Sequence, residues 1–575
     1  MWKLIPYLKN YKEESIIGPL FKLLEAVFEL IVPLITAQII DVGIRQRDMV
    51  YIWKMATILV AFGVFGLICS LLAQYFAAKA AVGFGTELRH DLFEHISKLS
   101  YSELDQIGIS TLVVRMIQDI NQVQSGVNLV LRLFLRSPFI VIGAVIMAFA
   151  INVRLAVIFV VAVPLLSFVI YGIMLWTIPL YKKVQHKLDE VLLSTRENLT
   201  GIRVIRAFCT QKREQKEYEE KSEQLMKLQL FVGKISALLN PVTYMLVNAG
   251  IIAVVWFGGK QTNNGLLTQG EVVALINYMT QILLALLALS TLIVSFTKAI
   301  ASAGRINEVF QLKTSVKDGS GANTESSIHV PRVEMKSVSF AYEKHTQEVI
   351  SNLNFTAMAG ETIGIIGGTG SGKSTVVNLI SRFYDVTKGA VFIDGNDVRT
   401  YRLQELREKI GIVPQKAVLF AGTIRSNLQM RKENATEEEM IWALKTAQAW
   451  EFVKEKPGGL DFAISEGGKN LSGGQRQRLT IARALVGHPE ILILDDSASA
   501  LDFATDAKLR KALSEETGDM TVFLVSQRTA SIMNANKIIV LDDGEIVGYG
   551  THQELLESCT VYQEIYHSQF SKEGK

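Results

Sequence analysis

Residues 55–78 carry no charged side chain, and neither do 155–181, 235–259 or 272–297. A helix needs about 20 consecutive apolar residues to cross the hydrocarbon core of a bilayer, and each of these runs is long enough. Backbone N–H and C=O groups in lipid must be satisfied within the segment, so the first half of the chain is confined to membrane-spanning helices. Two further stretches complete a set of six. Residues 137–153 are charge-free but short, and reach full length as 129–153 with Arg132 and Arg136 at headgroup level. Residues 16–40 form the remaining span although they hold Lys22, Glu25 and Glu29, spaced to share one helix face. An ionisable residue inside a span is a functional candidate by default. Glu29 is therefore a candidate for attracting a cationic substrate, against the plainer reading that its face packs on neighbouring loops. Phe62, Phe65, Tyr244, Met245 and Met279 read as packing residues of the spans.

Basic residues set the orientation of such helices. Lys3, Lys9 and Lys12 precede the first span, and 182–234 is rich in Lys and Arg. The short connections after the first, third and fifth spans carry few, among them Arg45 and Arg47, Arg154, and Lys260. Both ends of the membrane half are thus expected in the cytosol. The first span is too long and too charged for the apolar core of a cleaved signal peptide. The long connections 79–136 and 182–234 are helically patterned, so the spans are expected to continue as helices beyond the bilayer. A formal charge of +3, from 59 basic and 56 acidic residues, argues against a nucleic-acid partner. Cys69, Cys209 and Cys559 are too widely spaced to suggest a metal cluster or a disulfide framework.

At 313–332 the composition becomes polar and rich in Gly, Ser and Asn, the signature of a linker. Beyond it, β-branched runs at Val333–Phe340, 362–366, 390–393, 491–494, 521–525 and 537–541 alternate with helical stretches. The expected architecture is an α-helical membrane domain over 1–312, the linker, and an α/β P-loop nucleotide-binding domain over 333–575.

Gly367, Gly368, Thr369, Gly370, Ser371, Gly372, Lys373 and Ser374 match the phosphate-loop pattern GxxxxGK[ST], between an apolar strand and a helix that continues with Thr375. Glycines let successive backbone N–H groups curl around phosphates, and the helix N-terminus adds its dipole. Lys373 would reach the β and γ phosphates, and the Ser374 hydroxyl would bind Mg²⁺. The apolar run 491–494 ends in Asp495, a carboxylate placed to hold the Mg²⁺ shell through water.

Between these two motifs stand Leu471, Ser472, Gly473, Gly474 and Gln475. LSGGQ at this spacing resembles the signature of ATP-binding cassette (ABC) proteins. The resemblance implies that the signature caps the γ-phosphate of a nucleotide held by another subunit. It also implies that Tyr342 stacks on adenine, that Gln415 senses Mg²⁺, and that the loop from Ser499 to Asp502 contacts the partner cassette. Six spans, long cytosolic loops and one cassette are similar to an ABC half-transporter of the exporter fold. The stretch from Ile202 to Phe208 looks like the family's second coupling helix, and Glu466 stands where exporters usually contact the partner's coupling helix.

Two positions depart from the family pattern. The general-base glutamate expected after Asp495 is Asp496, whose carboxylate falls roughly 1.5 Å short, the length of one C–C bond. A misplacement of about 1 Å can cost on the order of 10²-fold in rate. The expected switch histidine is Gln527, which can hydrogen-bond a phosphate oxygen but cannot carry a proton at neutral pH. With the signature intact, the pair resembles the degenerate-site chain of a heterodimeric bacterial multidrug-type exporter. The implied partner is a second, different half-transporter with Glu and His at those positions; a homodimer with two slow sites is the alternative. The implied activity is ATP-driven export of a small amphipathic compound, whether drug, lipid or peptide, from a bacterial inner membrane. An importer on the same fold, or a regulatory or channel-like ABC protein, fits the same motifs.

Overall fold

The computed structural model describes residues 2–321, 330–342 and 347–570. It divides into two units, Met1–Ser97 with Ile109–Leu312, and Lys98–Gly108 with Lys313–Lys575.

The first unit carries six apolar helices: Lys3–Ile44, Met49–Ser97, Ile109–Ile151, Val153–Thr200, Gln211–Asn263 and Gln269–Gln311. The shortest has 42 residues, which at 1.5 Å per residue is about 63 Å, twice the hydrocarbon thickness of roughly 30 Å. The spans therefore do continue past the bilayer. Asn152 makes the tightest reversal, its Oδ1 accepting from the N–H of Arg154 and Leu155 at 3.0 and 3.1 Å to cap the fourth helix.

The first span explains its own polar residues. Pro33 lies inside the helix, and because proline has no N–H it strands the carbonyl four residues back, at Glu29. Gln281 Nε2 of the sixth helix donates to that Glu29 carbonyl at 3.2 Å, and the buried Tyr278 hydroxyl donates to Leu30 O at 2.6 Å. The ionisable side chains are paired as well: Lys22 with Glu25 at 2.6 Å, and Glu29 with Arg136 of the third helix at 2.7 Å. Glu29 is thus engaged in an intramolecular ion pair, which favours the plainer reading of a packed face over its candidacy as an attractor of cations. Arg136 correspondingly lies against the first span and not at headgroup level alone. Removing one member of such a pair leaves the other charge uncompensated. Glu29→Gln is therefore expected to lower the thermal midpoint of the solubilised protein, and Glu29→Gln with Arg136→Gln to recover part of the loss. Equal midpoints for all three proteins would show that the pair contributes nothing.

The second unit contains two main sheets. β1 (Val333–Phe340), β2 (Ile350–Ala357), β4 (Lys388–Ile393) and β5 (Asn396–Asp397) form an antiparallel sheet in the order β2-β1-β4-β5. β3 (Thr362–Gly367), β6 (Ile410–Val413), β9 (Ile491–Asp495), β10 (Thr521–Val525), β11 (Lys537–Asp542) and β12 (Glu545–Gly550) form the other, in the order β12-β11-β3-β10-β9-β6. A two-residue pair, β7 (Gly422–Thr423) with β8 (Ala463–Ile464), stands apart. All pairings in the six-stranded sheet are parallel except β11 with β12. Its central strands are buried apolar runs, as expected where both faces are covered.

Of the strands absent from the sequence reading, β2 is broken by a register shift opposite β1 and by Asn352 at φ 49°. β6 has only four residues, continuous with the helix Leu403–Lys409. Part of the expected linker is also bound in place: Gly319 and Gly321 donate to Tyr401 O and Thr400 O at 3.1 and 3.0 Å. Residues 322–329 of that linker lie outside the described residues.

Candidate functional site

Three adjacent strands of the parallel sheet, β3, β10 and β9, end side by side, with Val525 in register with both Ile365 and Asp495. Ligands of open α/β sheets bind beyond such carboxyl ends. There, Thr369, Gly370, Gly372, Lys373, Ser374, Thr375, Gln415, Asp495, Asp496 and Gln527 line one cavity of about 320 Å³. Residues distant in the chain are thus joined by the strand order.

The phosphate loop needs glycine for a definable reason at Gly372, which has φ 93° and lies so near Ile350 that a Cβ would come within 2.5 Å of its Cδ1. Lys373 Nζ, at the start of the helix Lys373–Ile380, donates to Gly367 O at 2.9 Å and Gly368 O at 2.5 Å. Burial pushes its pKa down, opposed by the charges of Asp496 and Asp495. Ser374 Oγ donates to Asp495 Oδ1 at 3.2 Å. Burial pushes the Asp495 carboxyl upward, and the bond from Ser374 works against it. Asp496 takes a left-handed backbone, φ 47°, its N–H donating to Val525 O at 3.0 Å. Gln415 Nε2 reaches Asp496 Oδ2 at 3.4 Å.

The remaining candidates lie elsewhere on the unit. Tyr342 is not part of the cavity lining; its hydroxyl lies 3.0 Å from Thr375 Oγ1 and the residue is 44% exposed, available for stacking. Leu471 is buried, while Ser472 caps the helix Gly473–Leu485 in a reciprocal box with Gln475. Gly473 and Gly474 form the first turn of that 13-residue helix, leaving an exposed helix N-terminus suited to an anion. Asp502 caps the helix Phe503–Glu516 by accepting from Thr505 N at 2.8 Å, and its bonds with Thr505 hold its carboxyl below the usual range.

A model of the ABC transporter transmembrane region matches residues 15–287, and one of the ABC transporter cassette matches 350–499. The chain is 37% identical over 574 residues to the uncharacterized ABC transporter ATP-binding protein YfiB of Bacillus subtilis (strain 168), covering 100% of this chain and 99% of that protein. The chain belongs to the ABC transporter family. This ABC transporter is also 34% identical over 483 residues to the ATP-dependent lipid A-core flippase of Desulfotalea psychrophila, covering 84% of each. Its fold matches the solved structure of a bacterial Atm1-family ABC exporter with ATP bound, at a TM-score of 0.80 and 23% identity over 98% of this chain and 99% of that one. It is a half-transporter with a six-helix membrane region and a fused cassette that binds ATP and hydrolyses it to drive transport.

Two elements of the transporter were not evident from its sequence. The helix Tyr101–Ile107, inside the expected connection 79–136, packs within the cassette unit. Tyr384 donates to Asp105 at 2.6 Å, and Tyr101 packs against Phe383 with ring centroids 4.6 Å apart and planes tilted by 36°. Tyr384 in turn packs edge-on against Tyr342, centroids 5.2 Å apart. Second, Gln569 of the C-terminal helix Thr560–Phe570 holds the loop carrying Gln527 from both sides. Its Nε2 donates to Gln527 O, and its Oε1 accepts from Thr529 N, each at 2.8 Å. No local motif marks either residue, because each acts through a partner remote in the chain. Gln569→Leu is expected to speed amide exchange at Thr529 about two- to tenfold, the worth of one net hydrogen bond. Unchanged protection would show that the loop is held by its own turn.

Proposed function

We propose that this transporter exports amphipathic compounds as one half of a heterodimer, with a slowly hydrolysing ATP site on its own phosphate loop. The observation that carries the reading is that Asp496 and Gln527 line the same cavity as Lys373, Ser374 and Asp495. Both departures from the family pattern therefore fall where the γ-phosphate and the attacking water would stand. Asp496 is short for a general base and is engaged by Gln415; Gln527 offers a hydrogen bond and no titratable proton. The signature helix keeps its capped, glycine-led N-terminus and would complete a competent site on a chain that retains Glu and His.

Ser374, Gln415 and Asp495 would hold Mg²⁺. The convergence of Ser374 Oγ on Asp495 Oδ1, with a side-chain amide beside them, is an all-oxygen donor set that suits a hard cation. When bound, that ion would offset phosphate charge. This chain's own residues would orient the nucleotide: Lys373 on the terminal phosphates and Tyr342 on the adenine.

Likeness to a lipid A-core flippase supports an amphipathic, lipid-like cargo. The excess of basic residues in the long connections supports cytosolic termini, and likeness to bacterial transporters supports a bacterial inner membrane. In transport, the exposed helix Ile202–Ala207, with Val204 60% and Phe208 75% exposed, would serve as a coupling element toward a partner cassette, as would Glu466. Native mass spectrometry of the complex from its own membranes tests the pairing. A second, different chain is the expected result, and two copies of this chain with steady ATP hydrolysis would overturn it.

A further inference from the structure

The helices Val153–Thr200 and Gln211–Asn263 leave between them a groove of about 620 Å³ that the transport cycle above does not use. Its walls are apolar, with Val161, Leu165 and Leu246 among them, and Ala162 and Ala249 deepen it by lacking bulk. One end is different. Arg154 and Lys260 line the groove there, beside the short connections.

Neither cation is neutralised from within. Among the described residues Arg154 makes no ion pair, and the Lys260 ammonium lies over the Trp256 ring, 5.2 Å from its centroid. Two carboxylates at the corresponding helix ends, Asp41 and Glu271, are occupied in accepting from Gly270 N and Thr268 N, each at 2.8 Å. Gln261 accepts from Asn152 at 2.7 Å, tying the two helix ends together beside the charges. Trp256, 63% exposed, marks this level as a membrane–water interface.

The dimensions fit one leaflet. From Arg154 to Leu165 the helix rises about 16 Å, and half the hydrocarbon thickness is about 15 Å. The groove thus runs from a doubly cationic end at headgroup depth toward the middle of the bilayer, with an apolar trough to receive a chain.

We propose that this groove binds an anionic phospholipid of the short-loop leaflet, its phosphate between Arg154 and Lys260 and an acyl chain along Ala162, Ala249 and Gly250. The site is separate from the nucleotide site. Basic residues near an anionic lipid surface contribute on the order of fivefold each to binding, so losing both cations should weaken retention about 25-fold.

The test uses the full-length complex and native mass spectrometry with dioleoyl-phosphatidylglycerol, dioleoyl-phosphatidylcholine or inorganic phosphate added. The expected result is retained phosphatidylglycerol on the wild type, weakened about 25-fold in Arg154→Gln with Lys260→Gln. Ala249→Leu, which fills the trough and spares the charges, should also weaken it, with basal ATPase activity serving as the check on folding. Equal retention of phosphatidylcholine, or equal occupancy by inorganic phosphate, overturns the proposal by removing the need for charge or for the chain. A spin label at Val161→Cys separates lipid from protein as occupant. Broadening by chain-labelled phosphatidylglycerol supports the lipid, and an immobilised label without such broadening means that a partner's helix fills the groove and overturns it.

Discussion

Replacing Asp496 by Glu together with Gln527 by His raises ATP turnover at this chain's own phosphate loop by on the order of 10²-fold, the loss expected from a misplacement of about 1 Å in a reacting group. Both side chains face the cavity that holds Lys373, Ser374 and Asp495, so longer reach and a titratable ring enter at the place where water would attack. Each substitution alone should recover only part of the effect, because a base without an oriented partner, or the reverse, leaves the transition state half supported. The measurement is single-turnover hydrolysis in the assembled complex, with the partner's general base removed so that one site is read. Unchanged turnover in the double variant would falsify the slow-site reading.

The second large effect concerns the helix Tyr101–Ile107. Burial and the neighbouring Asp105 carboxylate push the Tyr384 phenol upward, so it stays protonated and donates at any working pH. A hydrogen bond to a charged acceptor contributes about 1.5–3 kcal/mol, and the lower figure applies because Asp105 is exposed. Tyr384→Phe keeps the ring against Tyr342 and Phe340 and removes only the donor. Amide exchange in residues 98–108 should then rise about tenfold, and transported substrate per ATP hydrolysed should fall, because the helix lies in the chain between two spanning helices. Asp105→Asn keeps an acceptor without the charge and should fall between. Unaltered coupling in Tyr384→Phe would reduce the bond to simple packing.

What was legible in advance follows from the range of the forces involved. The spans, the phosphate loop, the strand ending in Asp495 and the signature are contiguous runs, and their chemistry is local. A bilayer demands an unbroken apolar helix, and a phosphate demands consecutive N–H groups with glycine freedom. Even the departures at Asp496 and Gln527 were visible, since they lie one and two residues beyond the ends of recognisable strands. The partner of Glu29 was not legible for the opposite reason. That partner, Arg136, is 107 positions away, and only helix packing shows that the Glu29 charge is already balanced.

The sequence by itself therefore determined that this chain crosses a membrane six times, carries a nucleotide-binding cassette and has an altered pair of residues beside its phosphate loop. Tertiary structure alone decided what those residues face. The order β3-β10-β9-β6 puts residues 369, 415, 495 and 527 around one cavity. Packing of the first span on the sixth supplies a donor to the Glu29 carbonyl that Pro33 leaves without its helical partner. Side-chain bonds from Tyr384 and Gln569 reach across hundreds or tens of residues to Asp105 and to the loop of Gln527. The physical reason is that apolar periodicity and backbone geometry are written in neighbouring residues, whereas the pairing of a buried charge or a lone donor depends on which surfaces meet.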